Sequence, residues 1–81
     1  MKRTINGYTY DTRESKKLAI SSWQNFPHKG DNLNSALYKD DHGKYFVLEE
    51  YSWFREKLIV PKTKTDAELY YLYANKIFPD F

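Results

Sequence analysis

Asp11-Thr12-Arg13-Glu14-Ser15-Lys16-Lys17-Leu18-Ala19-Ile20-Ser21-Ser22-Trp23-Gln24-Asn25-Phe26 is the stretch on which the fold class turns. At helical pitch Leu18, Ala19, Ser22, Trp23 and Phe26 fall at spacings of one, three and four, on one face, with Lys16 and Lys17 off it. Asp11 or Thr12 is placed to cap such a helix. Glu14 adds a negative charge to its first turn, where the helix dipole favours it. Pro27 ends it, because the residue before a proline avoids the helical region. The stretch is therefore predicted to be a helix.

Strand signals lie on both sides. Toward the N-terminus, Asn6-Gly7 separates β-forming residues and supplies the positive φ of a two-residue hairpin turn, with Ile5, Tyr8 and Tyr10 as packing residues. Toward the C-terminus, residues 27 to 34 are rich in turn formers and read as a loop. Ser35 to Lys39 and Lys44 to Tyr51 read as a second hairpin, turned by Asp40-Asp41-His42-Gly43. Side chains alternate along a strand, so Phe46 and Leu48 share one face and Tyr45 and Val47 the other. Apolar residues on both faces mark this strand as central. Residues 52 to 56 fit no single element. Lys57 to Val60 is a short strand stopped by Pro61. Thr65-Asp66-Ala67-Glu68 matches a capping box and opens a last helix. Leu69, Leu72, Tyr73 and Lys76 form its main stripe, with Tyr70, Ala74 and Ile77 beside it, and Tyr71 points away from it. The order hairpin, helix, hairpin, strand, helix predicts an α+β fold, a small antiparallel sheet with two helices packed on one face.

The bulk properties fit one small domain over residues 1–81. With no cysteine, disulfides and cysteine-based zinc or thiol chemistry are excluded. Fifteen aromatic residues, eight of them Tyr, can fill a core and leave rings at the surface. The net charge of +2 does not favour nucleic acid as partner. No apolar run reaches the length of a membrane span or a signal peptide, which predicts a cytoplasmic protein.

No catalytic constellation stands out, and the chain reads as a binding domain rather than an enzyme, with no cofactor and no metal. His42 with Asp40 and Asp41 reads as a solvated hairpin tip rather than a ligand set. Glu49 and Glu50 are adjacent on an extended strand, face opposite ways and cannot act as a pair. Two groups are candidates for binding a partner. Tyr51, Trp53, Phe54 and Arg55 combine the residue types of interface hot spots, which also stack on unpaired bases. Tyr71, exposed off the main stripe of the last helix with Lys76 beside it, is the second. Scattered lysines, among them Lys57, Lys62 and Lys64, leave a nucleic-acid-binding module as the alternative.

Ile5-Asn6-Gly7 with Tyr10-Asp11-Thr12, Leu37-Tyr38 followed by Gly43-Lys44-Tyr45-Phe46-Val47-Leu48, and Ile59-Val60-Pro61 followed by Thr65-Asp66-Ala67-Glu68 occur in an order that covers most of the chain. This order resembles a family of small accessory proteins of Gram-positive phages and mobile elements that includes or neighbours anti-CRISPR proteins. The chain departs from that pattern after Leu48, where family members carry a glycine-rich stretch. The resemblance implies a stoichiometric inhibitor that binds a host CRISPR effector nuclease, with a type II effector as the first candidate.

Overall fold

A five-stranded antiparallel sheet forms the body of the protein, in the order β6-β5-β4-β3-β7. The computed structural model describes residues 1–23, 33–51, 57–79 and 81, and only the backbone of Ser22, Trp23, Leu33 and Tyr51. The strands are β3 (Ser15–Trp23), β4 (Leu33–Asp40), β5 (Tyr45–Tyr51), β6 (Lys57–Lys62) and β7 (Asn75–Lys76). A separate hairpin of β1 (Lys2–Ile5) and β2 (Tyr8–Asp11) precedes them, and the one α-helix among the described residues, α1, spans Lys64–Tyr73.

The predicted two-helix α+β packing is thus overturned: the described residues are mostly strand, with one α-helix. The stretch that reads as the first helix is a single 3-10 turn, Thr12–Glu14, followed by β3. Asp11 does cap, but it caps that turn, its carboxylate accepting from the Arg13 N–H at 3.0 Å. The helical spacing came from a β-bulge. Lys17 pairs with Tyr38 and Ala19 with Leu37, so Leu18 is the extra residue. A bulge breaks strand alternation, and here it turns the neighbours Leu18 and Ala19 into the same cluster, each 0% exposed. Two adjacent buried residues imitate a helical face when only the sequence is read.

Each face of the sheet carries its own apolar cluster. On one, Tyr38 stacks on Phe46 at 5.2 Å, and Tyr10 meets Phe46 edge-on at 5.4 Å. Ala36 and Ile59 complete this cluster, and Ile5, Tyr8 and Leu48 pack on it, so the β1–β2 hairpin lies on this side. On the other, Leu18, Ala19, Leu37, Tyr45, Val47 and Ala67 are buried, with Tyr70, Tyr71, Ala74, Phe78 and Phe81 against them. That side carries α1 and the C-terminal residues. The division of Phe46 and Leu48 from Tyr45 and Val47 follows the alternation read from sequence.

Both predicted hairpins form. Asn6 and Gly7 have φ of 51° and 78°, the left-handed pair of a tight turn. Gly43, at φ 81°, closes the β4–β5 turn, whose N–H donates to Asp40 O at 3.1 Å. Two boundaries differ from expectation. Leu33 and Asn34 belong to β4 rather than a loop. Pro61 does not stop β6, where it pairs with Phe46 in a strand with no further neighbour among the described residues. A proline lacks one donor, and an edge strand tolerates that loss.

The chain after α1 is tied to the bulge. Leu18 O accepts the N–H groups of Ile77 at 2.9 Å and Phe78 at 3.1 Å. β7 pairs beside it, Ala19 with Lys76 and Ile20 with Asn75. The extra residue that distorts β3 therefore also fixes where the C-terminal segment docks.

Candidate partner-binding surface

α1 is capped two residues before the predicted capping box. Thr63 is the N-cap, its Oγ1 accepting from the Asp66 N–H at 3.1 Å. The helix also turns the opposite face inward. Ala67 is fully buried, and Tyr70, Tyr71 and Ala74 pack on the core. These four lie at i, i+3, i+4 and i+7, a complete helical stripe. The predicted stripe is the exposed one: Leu69 is 54%, Leu72 60% and Tyr73 84% exposed. Two stripes compete in this sequence, and the alanines decide between them. A helix with Ala at the contact approaches a sheet closely, and the two tyrosines beside it reach polar partners with their hydroxyls.

Those partners are specific. Tyr70 OH bonds the buried Ser35 Oγ at 2.7 Å. Burial pushes the Tyr70 phenol above its ordinary pKa and the nearby Glu49 adds to this, while the Ser35 bond opposes it. Tyr71 OH donates to Phe78 O at 2.7 Å. The Tyr71 ring leans on Phe81 at 5.1 Å, and Phe81 stacks on Tyr45 at 4.9 Å. Lys76 Nζ lies 5.2 Å from the Tyr71 ring centre and reaches Leu72 O at 3.4 Å.

Of the residues expected to bind a partner, Tyr71 and Lys76 are therefore brought together, but not as expected. Tyr71 is half-buried and anchors the C-terminal segment, while Lys76 covers its ring. Tyr51 ends β5, and its side chain is not described. Trp53, Phe54 and Arg55 lie outside the described residues. The predicted stripe residues Leu69, Leu72 and Tyr73 lie at the surface instead, as does the 53%-exposed Ile77. Leu69, Leu72, Tyr71 and Phe81 line an open groove of about 490 Å³, bordered by Glu68 and Lys76. Large apolar patches rimmed by polar residues mark interaction sites on soluble proteins.

The β4–β5 turn is organised around Asp40. One carboxylate oxygen accepts the N–H groups of His42 at 3.0 Å and Lys44 at 2.9 Å, and the other accepts the Tyr8 hydroxyl. Partial burial works to raise the pKa of Asp40. The three hydrogen bonds outweigh it and hold the carboxyl below its ordinary value. The same bond, with burial and the Asp40 charge behind it, pushes the Tyr8 phenol up to about 12. The carboxylate thus pins the turn to the β1–β2 hairpin. Among the described residues no group of three or more His, Asp or Glu is placed to hold a metal ion, and no helix is long and apolar enough to cross a membrane. Glu50 forms an ion pair with Lys57 at 3.3 Å, across β5 and β6.

Comparison with family models, with curated proteins and with solved structures finds no match to this chain.

Proposed function

We propose that the protein is a non-enzymatic binding domain that engages a protein partner through the outer face of α1. The observation that carries this is the exposed stripe Leu69, Leu72 and Tyr73. Leu69 and Leu72 are aliphatic residues on a helix whose opposite face is already packed, and Ile77 follows it in the C-terminal segment. Leaving about half of each in water forgoes burial free energy of the order of 1 kcal/mol apiece, which a partner surface recovers. Helix-in-groove recognition uses such i, i+3, i+4 anchors. The partner itself is named by the sequence resemblance: a CRISPR effector nuclease, type II first, held in the bacterial cytoplasm and blocked in DNA binding or cleavage.

The test is a DNA cleavage assay on purified type II effectors with the protein in molar excess, together with co-purification. Wild-type protein suppresses cleavage and co-elutes with its effector, and Leu72→Glu does neither while keeping its fold. Full cleavage with every effector, and no co-elution, removes the reading.

A further inference from the structure

The sheet register sets Lys16, Lys39, Tyr45 and Lys62 in one row across β3, β4, β5 and β6. Residues directly opposite in a ladder share a face, so the three lysines rise on the side that carries α1. Lys16 Nζ lies 4.8 Å from the Phe78 ring centre, and Lys39 Nζ 5.6 Å from that of Tyr45. Beside the row is a depression of about 410 Å³ whose lining includes Lys39, Lys44, Lys62, Lys64 and the helix cap Thr63.

Among the described residues no carboxylate lines this depression. Among the described residues the ion pair is Lys57–Glu50, at the far end of β5 and β6. Several acids among the described residues are placed elsewhere. Asp40 is held by Tyr8 and two backbone N–H groups. Asp11, Glu14 and Asp41 line a separate depression with it. Asp66 sits in the first turn of α1. Like charges placed opposite one another weaken a sheet, yet Lys16 pairs directly with Lys39. The aromatic rings orient two of the ammonium groups without neutralising them.

We propose that the lysine row and its depression bind the phosphodiester backbone of a nucleic acid. Three inter-strand steps of roughly 4.8 Å make the row about 14 Å long. A DNA strand presents a phosphate about every 3.4 Å along the helix axis, so the row meets several at once, whereas a lone phosphate occupies one or two lysines. The cations are all lysines. Flexible point charges suit backbone contact, while reading base edges favours the planar fork of arginine. Binding is therefore independent of sequence. It is also separate from the outer stripe of α1.

Fluorescence anisotropy with labelled single- and double-stranded oligonucleotides across a salt series tests this. Neutralising three to four phosphates gives a slope of log K against log salt of about −3 to −4 on duplex, and about −2 to −3 on single strands. The double variant Lys39→Gln, Lys62→Gln keeps its circular dichroism spectrum and lowers the duplex slope by about 2. Lys64→Gln lowers it by about 1. Lys57→Gln, at the other end of the sheet, leaves it unchanged, and Leu72→Glu retains full binding, so this proposal and the partner-protein reading stand or fall separately. No binding to any oligonucleotide at low salt overturns the proposal. So does a slope unmoved by the double variant, or binding confined to vesicles of anionic phospholipid.

Discussion

The orientation of α1 is open to direct measurement, because two neighbouring residues differ in how far they pack on the sheet. Leu72 is 60% exposed, so its replacement by Glu forfeits at most the remaining share of its burial. Full burial of a leucine contributes about 1.5–3 kcal/mol, which bounds the loss at about 0.6–1.2 kcal/mol. Tyr71→Ala removes more. The ring packs against Phe81 at 5.1 Å, and the hydroxyl holds Phe78 O at 2.7 Å. An aromatic pair contributes about 0.5–1.5 kcal/mol, a hydrogen bond about 0.5–1.5 kcal/mol, and partial burial of the ring about 1–2 kcal/mol. The expected cost is about 2–5 kcal/mol, against a total of about 4–12 kcal/mol for a chain of this length. Tyr71→Phe, which loses only the hydroxyl, costs about 1 kcal/mol. Urea denaturation followed by circular dichroism, with the slopes held equal, ranks the three variants. If Leu72→Glu proves more damaging than Tyr71→Ala, the helix presents the other stripe to the sheet. The proposed partner surface then disappears with it.

Three further outcomes follow from the turn and the caps. The folded pKa of Asp40 lies below its ordinary 3.8, so its stabilising effect is complete above that value and is lost as pH falls through the folded pKa. Tyr8 works in the opposite sense: its folded pKa is about 12 against an ordinary 10.0, so its contribution is present below pH 10 and fades as pH rises through 12. Ultraviolet titration should show one tyrosine ionising late, and Tyr8→Phe should both erase that step and flatten the acid-side stability profile; a tyrosine ionising late in Tyr8→Phe as well would contradict the assignment. Gly43→Ala meets no atom within 4 Å but must hold φ near 81°; it should cost about 1 kcal/mol, and a thermal melt no lower than wild type would count against the turn as described. Thr63→Ala should cost about 1 kcal/mol through the lost helix cap, and Thr65→Ala less than about 0.5 kcal/mol. The reverse ranking in a thermal melt would restore the capping box at Thr65.

Local rules proved sufficient wherever a short stretch carries its own geometry. Asn6-Gly7 and Gly43 take left-handed conformations, and both hairpins form around them. Phe46 and Val47 alternate across β5 because strand side chains must. They proved insufficient where two patterns coexist. Leu18 and Ala19 are adjacent and both buried, which suits a helical face and a bulged strand equally well. The lysine row was illegible for another reason: Lys16, Lys39 and Lys62 are far apart in sequence, and only ladder register aligns them.

The amino-acid sequence by itself determined the turns, the strands of the central hairpin and the presence of the last helix, because each depends on contacts a few residues apart. Tertiary structure decided that residues 15 to 23 are a strand, since β4 and the C-terminal segment both bond to it. It also decided which face of α1 meets the sheet. Ala67 and Ala74 allow close approach there, and Tyr70 and Tyr71 find Ser35 and Phe78 for their hydroxyls. The leucines of the other stripe are left at the surface, because a helix packed on one sheet can bury only one of its two apolar faces.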